Sequence, residues 1–179
     1  PEARVLVYAG NLLPRRDVAV AIKTLSRLKR QGTNAALLIA GEGPELLHLK
    51  QLAKDEEVDH VIQFLGHLNW GKLREVYWSG DLFIFPTHYE IFGLVLVEAL
   101  ACGLKLLSTP CPAAEDILSQ CPEAGCLAPA GNIDAFAEAS RSIFTEIENQ
   151  SGFSASEKHF LNNKKWSSIA RQILQTVNE

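Results

Sequence analysis

The sequence predicts an α/β fold: a Rossmann-like, doubly wound parallel sheet of about six strands flanked by helices. Short runs are apolar on successive residues rather than alternate ones, which is typical of parallel strands buried on both faces. Segments with an apolar period near 3.6 lie between these runs, so strand and helix alternate as in sheets built from right-handed crossovers. At 179 residues the chain is long enough for one well-filled core and short for two. We expect a single domain over residues 1–179.

The apolar runs locate the strands, and the periodic segments locate the helices. Strands are expected at Val5–Tyr8, Ala35–Ala40, Val61–Leu65, Leu82–Phe85, Leu104–Leu107 and Gly125–Leu127. Helical patterns begin near residues 18, 46, 73, 93 and 133, and Pro44 is placed to open the second of them. Residues 149–165 are polar and weakly patterned, which indicates a loop or short helix. A final helix is predicted over residues 166–179.

Composition and charge exclude several classes of protein. The chain is 47% hydrophobic and 21% charged, which describes an ordinary globular domain. No apolar run approaches the roughly 18 to 20 residues of a membrane span, and the first residues show no charged-then-apolar pattern, so neither a membrane span nor an export signal is expected. A net charge of -4 argues against a nucleic-acid partner. The four cysteines match no zinc spacing, so reduced thiols and a cytoplasmic location are expected, with no metal site.

Two loops should form a ligand site. In a sheet of order 3-2-1-4-5, ligands bind beyond the carboxyl ends of strands 1 and 4, where the winding reverses. The loop GNLLPRRD (10–17) offers Asn11, Arg15 and Arg16 at the start of a helix, where free amides and the helix dipole favour an anion. This loop is interpreted either as a phosphate clamp or as a stretch of solvated charges.

The second loop, PTHYEIFG (86–93), leads into a very apolar helix. Gly93 would allow close approach of a ligand to the backbone, and the amides there form a second anion site. Glu90 precedes the helix, whereas Glu98 lies within it and would be costly to bury without a partner. Two carboxylates repel phosphate but accept hydrogen bonds from hydroxyls. A nucleotide sugar fits this pattern; alternatively, Glu98 is the buried ion-pair partner of a Lys or Arg.

The run EIFGLVLVEALACG (90–103) resembles the E-x7-E signature of retaining glycosyltransferases with the GT-B fold, especially glycosyltransferase family 4, the glycosyl transferases group 1. The segments YAGNLLP, LLIAGEGP, VIQFLGHL and LREVYWSGDLFIFPTHYE extend the likeness over about residues 4–130 in the family's order and spacing. The resemblance implies the C-terminal, donor-binding half of a GT-B fold. Family members are about twice as long, and this chain lacks Met and starts just before a strand, so we expect a fragment.

The resemblance also implies roles for particular residues. Glu90 would contact hydroxyls of the transferred sugar, Glu98 would hold the ribose diol, and Glu90 and Arg16 would be the catalytic residues. Amides at the start of the apolar helix would meet the sugar and diphosphate, and His67 with Leu68 would lie against the base. The implied donor-binding residues are Gly10, Asn11, Arg15, Arg16, Gly41, His67, Leu68, Glu90, Ile91, Phe92, Gly93, Leu94 and Glu98.

The first loop and the start of the fifth strand depart from the family pattern. Asn11 stands at the usual Arg position, Arg16 at the Lys position, and Asp17 where Gly is common. An Asn supplies hydrogen bonds without charge, so negative charge on a leaving diphosphate is less well neutralised, although Arg15 could compensate. Lys105 replaces a frequent Pro.

The implied reaction is transfer of a hexosyl group from a UDP-, GDP- or ADP-linked sugar to an acceptor, with retained configuration. No Asp-x-Asp signature occurs, so neither a metal nor another cofactor is expected. The acceptor would bind an N-terminal half, without which this fragment would be inactive and through which any peripheral contact with the cytosolic face of a membrane would be made. Other readings are a non-catalytic nucleotide-sugar sensor or scaffold, a sugar-nucleotide epimerase or phosphorylase, and a glycoside hydrolase with paired carboxylates.

Overall fold

A computed structural model of the chain describes residues 3–149 together with residues 157 and 160. Six parallel strands form one sheet in the order β3-β2-β1-β4-β5-β6. The strands are β1 Arg4–Ala9, β2 Ala35–Ala40, β3 Ile62–Gly66, β4 Leu82–Phe85, β5 Lys105–Ser108 and β6 Gly125–Leu127. The winding reverses between β1 and β4, as the sequence predicts.

Helices make the crossovers between the strands. They are α1 Val18–Arg30, α2 Leu46–Asp55, α3 Trp70–Trp78, α4 Leu94–Ala101, α5 Pro112–Gln120 and α6 Ile133–Asn149. Short 3-10 turns occupy Pro14–Arg16, Asp59–Val61 and Pro122–Ala124. The predicted strand limits agree with the observed ones to within one residue. α5, which sequence periodicity did not single out, begins with Pro112 in its first turn.

The central strands of the sheet are buried on both faces. Every residue of β4 is at most 1% exposed, and Tyr8 on β1 is fully buried. The rings of Tyr8 and Phe85 lie 6.0 Å apart, and Phe83 lies 5.7 Å from both Phe85 and Tyr77 of α3. This double burial explains why the strands are continuous apolar runs rather than alternating ones.

Two expectations need correction or lie outside the described residues. α2 begins at Leu46, and Pro44 lies in the turn before it rather than in the first turn of the helix. A backbone turn comes first: the Leu46 N–H donates to the Gly43 carbonyl at 3.2 Å, and the Glu45 N–H donates to the Leu12 carbonyl at 3.2 Å. The predicted helix over residues 166–179 and nearly all of residues 149–165 fall outside the described part of the chain.

Lys105 has a structural role at the start of β5. Its Nζ donates to a carboxylate oxygen of Glu157 at 2.8 Å and to the backbone carbonyl of Glu123 at 2.6 Å. The Lys105 and Glu157 side chains are only 14% and 3% exposed. A Lys at this position therefore links β5 to residue 157 through a buried ion pair, which a Pro could not do.

The loops that follow β1, β2 and β3 meet through their backbones. The Gly10 N–H donates to the Ala40 carbonyl at 3.0 Å, and the Gly41 N–H donates to the Gly66 carbonyl at 2.8 Å. Gly41 has φ +146°, and a Cβ there would lie 1.9 Å from the Gly10 carbonyl oxygen. The two loops beside the predicted pocket can approach this closely only because residue 41 lacks a side chain.

Replacing Gly41 with Ala should therefore destabilise the domain by roughly 2 to 4 kcal/mol. The backbone of Gly10 would have to move away from the added Cβ, and the alanine would have to adopt a strained φ. The matched control is Gly103→Ala, because Gly103 has φ +99° with nothing within 4 Å of the added Cβ; its cost should be about 1 to 2 kcal/mol. Urea unfolding measures the change in the free energy of unfolding for each variant. Equal losses in the two variants would contradict the close approach of the loops.

Candidate functional site

The loops after β1 and β4 are joined where the winding of the sheet reverses. The His88 N–H donates to the Arg15 carbonyl at 3.0 Å, and the Thr87 hydroxyl donates to the same oxygen at 3.4 Å. A cavity of about 230 Å³ lies here. Its lining residues are Ala9, Gly10, Arg16, Phe85, Glu90, Phe92, Leu94 and Val95.

A larger cavity, of about 990 Å³, lies beside the amino ends of β1 and β4. Its lining includes Arg4, Asn34, Trp78, Asp81 and Glu148. Arg4 there is already paired with Asp81 and Glu148. In doubly wound sheets ligands bind beyond the carboxyl ends of the strands, at the switch point. The smaller cavity, which brings predicted residues of both loops together, is therefore the candidate site.

The carboxylate of Glu90 is the most heavily hydrogen-bonded group in this cavity. Arg16 Nη1 donates to its Oε2 at 2.7 Å. The backbone N–H groups of Ile91, Phe92 and Gly93 lie 3.1, 3.2 and 3.3 Å from its Oε1. One anionic group thus accepts from a guanidinium and from three consecutive amides leading into α4, which is how proteins bind phosphates and other anions.

These contacts set the ionisation of Glu90. Burial by itself would raise the pKa of its carboxyl group, but the hydrogen bond and charge of Arg16 and the amides of Gly93 and Phe92 outweigh it. The pKa of Glu90 is consequently lowered. The carboxylate is fully ionised at neutral pH, with its charge compensated within the protein.

Arg16 is held in place by three different groups. Besides Glu90, its Nη1 donates to the hydroxyl of Thr87 at 3.2 Å, and its guanidinium carbon lies 5.3 Å from the ring centroid of Phe85. Its Nε is buried and has no hydrogen-bond partner among the described residues. The guanidinium is therefore fixed, only 17% exposed, and retains a donor that a further acceptor could use.

The position of α4 is set by Gly93, its N-cap. Gly93 has the left-handed φ of +60°, and a Cβ there would lie 2.7 Å from the Cβ of Ala113. The Ala113 N–H also donates to the Glu90 carbonyl at 3.1 Å. Close packing of the loop on α5 thus turns the amides of residues 91–93 towards the Glu90 side chain. The prediction that α4 begins near Gly93 is confirmed.

Glu98 lies apart from Glu90. It does not line the 230 Å³ cavity, and its Oε2 accepts from the hydroxyl of Tyr77 on α3 at 3.4 Å. Among the described residues its partner is this neutral hydroxyl, not the Lys or Arg of the predicted alternative. Burial raises the pKa of Glu98, and the Tyr77 hydrogen bond offsets only part of that effect.

α4 is apolar at nearly every position but is buried on only part of its surface. Leu94 is 68% exposed and Phe92, just before the helix, is 79% exposed, whereas Leu96 and Ala99 face the core. Tyr89 and Ile91 are also more than half exposed. Of the exposed side chains, Phe92 and Leu94 line the cavity, so part of this apolar segment forms the rim of the cavity rather than core.

The first loop also differs from expectation. Arg15 and Arg16 lie on the separate Pro14–Arg16 turn, and α1 begins only at Val18. Asp17 caps α1 with left-handed φ 46° and ψ 43°, and its Oδ2 lies 3.3 Å from Nε2 of His88. That backbone conformation explains why Gly is common at this position, and Asp is among the residues that tolerate it best. A negative side chain thus stands where free amides of α1 were expected to attract an anion.

The structure brings together Gly10, Arg16, Glu90, Phe92 and Leu94 around the cavity, with Ile91 and Gly93 contributing amides and Gly41 packed on Gly10. The remaining predicted residues lie outside its lining. Asn11 and Arg15 have exposed side chains. His67 is exposed after β3, where its N–H donates to Glu42 at 3.3 Å, and Leu68 is partly buried against the core.

Sequence reasoning missed Thr87, Phe85 and Tyr77. Thr87 and Phe85 position Arg16, and Tyr77 holds Glu98. Their sequence signals are weak, because Phe85 and Tyr77 fit the apolar patterns of a strand and a helix, and a Thr in a turn is common. Only the tertiary packing reveals them: the two loops bring Thr87 to Arg16, and α3 brings Tyr77 to Glu98 on α4.

Within residues 3–149, 157 and 160, no three His, Cys, Asp or Glu side chains are grouped so as to hold a metal ion. None of the helices in that part of the chain is long and apolar enough to cross a bilayer.

A parallel doubly wound sheet with an anion-holding cleft at its switch point defines a Rossmann-like ligand-binding domain. Residues 1–160 match the model of the family described as glycosyl transferases group 1. The chain belongs to that family.

Its relatives include glycogen synthase of Mycobacterium tuberculosis, which is 38% identical over 104 residues, or 58% of this chain and 25% of that protein. A phosphatidylinositol N-acetylglucosaminyltransferase subunit of Saccharomyces cerevisiae is 27% identical over 105 residues, covering 59% of this chain and 23% of the subunit. The chain thus matches about a quarter of the length of these relatives.

Solved glycosyltransferases share the fold. Anabaena Alr3699/HepE, determined in complex with UDP-glucose, superposes with a TM-score of 0.84 at 18% identity, over 99% of this chain and 49% of its own. A glycosyltransferase from Rickettsia africae superposes with a TM-score of 0.79 at 18% identity, over 98% of this chain and 47% of its own. The six-stranded parallel sheet flanked by helices is thus a Rossmann-like unit of GT-B glycosyltransferases.

The low pKa of Glu90 predicts a pH-dependent contribution to stability. Because its pKa is lower in the folded than in the unfolded protein, the contribution is present above the unfolded value of about 4.3 and is lost as the pH falls through the folded value. Glu90→Gln should cost roughly 1 to 2 kcal/mol at neutral pH and progressively less in acid. Urea unfolding between pH 3 and 7 measures this. A pH-independent difference would contradict the ionic role; Glu115→Gln, an exposed change on α5, is the control.

The contribution of Glu98 to stability should depend on pH in the opposite direction. Because burial raises its folded pKa, its contribution is most favourable below the unfolded value and is lost as the pH rises through the folded one. Glu98→Gln should therefore stabilise the protein at neutral pH relative to the parent, with the advantage vanishing in acid. Thermal unfolding at several pH values checks this, and Tyr77→Phe should raise the Glu98 pKa further in a carbon-13 NMR titration. A less stable Glu98→Gln protein at pH 7 would refute the assignment.

Proposed function

We propose that this chain is the donor-binding half of a retaining glycosyltransferase of the family 4 type, which transfers a hexosyl group from a nucleoside diphosphate sugar to an acceptor. The observation that carries the proposal is the convergence of the Arg16 guanidinium and the three amides of residues 91–93 on a single anionic group at the switch point. Such a set of donors suits a phosphate oxygen as well as a carboxylate.

Membership of the glycosyl transferases group 1 family supports the reaction class. The Anabaena neighbour was solved with UDP-glucose, which supports a nucleotide sugar as ligand here. Solved neighbours are about twice as long as this chain. We therefore assign the donor to this half and the acceptor to an N-terminal half, which would also make any contact with the cytosolic face of a membrane.

In the proposed reaction, the bond between the anomeric carbon and the β-phosphate oxygen breaks while the acceptor oxygen bonds to the same face of that carbon. The acceptor proton passes to the departing phosphate oxygen, so no enzyme nucleophile is needed. Arg16 and the amides at the start of α4 stabilise the charge on the leaving group. The proposal invokes no metal.

The two glutamates take different parts of the donor. Glu90, in the cavity, would accept from hydroxyls of the transferred sugar, and Glu98, held by Tyr77, would accept from the ribose diol. His67 and Leu68, which follow β3, would lie against the base. Asn11, in place of the usual Arg, contributes no charge, and among the described residues that line the cavity Arg16 is the one with formal positive charge.

The site argues against a glycoside hydrolase. Such enzymes need an acid with a raised pKa facing a second carboxylate across the scissile bond. Glu98 has a raised pKa and Glu90 a lowered one, but only Glu90 lines the cavity. The absence of charge on Asn11 favours one second candidate, a non-catalytic nucleotide-sugar sensor. Epimerases and phosphorylases would use the same cleft on different chemistry.

A thermal-shift panel with UDP, GDP and ADP tests the proposal. A bound nucleotide should raise the melting temperature by mass action. Arg16→Gln should weaken its binding by roughly 10- to 100-fold, because a charged hydrogen bond to phosphate is lost. The matched control is Arg15→Gln, since Arg15 is its exposed neighbour; it should change binding by less than about threefold.

The outcomes separate the candidates. Binding that depends on Arg16 together with sugar transfer by the full-length protein supports the transferase. Binding without transfer supports the sensor. If no nucleotide of the panel binds, or if Arg15→Gln and Arg16→Gln are equally impaired, the proposed site is wrong.

A further inference from the structure

We infer that Glu90 is an internal competitor for the diphosphate: when no donor is bound its carboxylate occupies the Arg16 and backbone donors of the phosphate site, and the donor must displace it. This inference rests on the proposed function and concerns how the same site is regulated. It gives Glu90 a second role, distinct from contact with the sugar.

The geometry supports direct occupation rather than mere proximity. One oxygen of Glu90 lies within 3.3 Å of three successive amide nitrogens, and the other lies 2.7 Å from Arg16 Nη1. A phosphate oxygen seated on the same donors would require the same positions. The side chain is 18% exposed and borders the 230 Å³ cavity, so the carboxylate has open space into which it can move.

Charge makes the two occupants mutually exclusive. Two anions within a few ångströms repel, and the described lining of the cavity offers one guanidinium to compensate them. Arg16 is held in place by its hydrogen bond to the Thr87 hydroxyl and by its contact with the Phe85 ring. Its buried Nε has no hydrogen-bond partner among the described residues. The guanidinium can therefore stay in place and exchange one anion for another, while the flexible Glu90 side chain moves.

Displacement would favour the intact donor over the product. Once moved, the Glu90 carboxylate accepts hydrogen bonds from the hydroxyls of the sugar. These hydrogen bonds offset the loss of its contacts with Arg16 and the amides of residues 91–93. A nucleoside diphosphate without sugar offers no such hydrogen bonds. Glu90 therefore returns to Arg16 and the amides and displaces the nucleoside diphosphate. The same carboxylate would thus assist donor selection and product release.

Inorganic pyrophosphate is the probe for this competition, because it carries the diphosphate without base or sugar. Glu90→Gln removes the competing charge and should tighten pyrophosphate binding by on the order of tenfold in isothermal titration calorimetry. Glu115→Gln removes one charge from exposed α5, whose Ala113 contacts the Glu90 carbonyl, and should change binding by less than about twofold. Repeating the titration near 1 M salt, where the Debye length is about 3 Å, suppresses long-range repulsion and should preserve the difference.

A measurement on the unsubstituted protein keeps the test independent of how the variants fold. In NMR spectra the amide protons of Ile91, Phe92 and Gly93 should follow the titration of the Glu90 carboxyl. Saturating pyrophosphate should abolish that response, because the amides then bind phosphate. If they follow Glu90 equally with and without bound pyrophosphate, the carboxylate is not displaced.

The outcomes distinguish the inference from the function on which it rests. Tighter binding by Glu90→Gln alone supports internal competition. Unchanged or weaker pyrophosphate binding by Glu90→Gln, with a nucleotide of the UDP, GDP and ADP panel still bound, overturns the inference and leaves the proposed function intact. Failure of every panel nucleotide to bind overturns both.

Discussion

The cleft depends on the pairing of β1 with two neighbours, β2 on one side and β4 on the other. Because β2 and β4 flank β1 on opposite sides, the chain winds in opposite directions from β1. The loops after β1 and β4 therefore diverge above the sheet and leave a cavity between them. Hydrogen bonds from His88 and Thr87 to the Arg15 carbonyl then fix their spacing. Arg16 and Glu90 meet because backbone contacts have already joined the loops that carry them.

The two glutamates of the motif differ because their partners differ. Glu90 faces a guanidinium and three amides, so its pKa falls and its ionised form stabilises the fold. Glu98 faces a tyrosine hydroxyl in a partly buried place, so its pKa rises and its ionised form is a cost to the fold. An ionisable group retained at a cost to stability is typical of a ligand-binding site. The pattern E-x7-E thus combines one residue satisfied by the protein with one that a polyol would satisfy better.

Sequence patterns predicted the sheet well and the site in part. Continuous apolar runs located all six strands, because burial on both faces leaves a clear local signal. The pairing of Arg16 with Glu90 was not visible, since it depends on a 74-residue separation closed by the fold. The exposure of Leu94 and Phe92 was also missed. An apolar helix reads as buried from sequence, whereas here part of its surface forms the rim of a cleft.

Asn11 and Arg16 together suggest why competition at this site would matter. A site with two cationic side chains could hold an internal carboxylate and a diphosphate at once, each with its own partner. Here neither Asn11 nor Arg15 lines the cavity, and its lining among the described residues contains a single guanidinium, that of Arg16. Under the proposed competition, an anion that binds in the cavity would take that guanidinium from Glu90. The affinity for diphosphate would then depend on the strength of one internal ion pair, Arg16–Glu90.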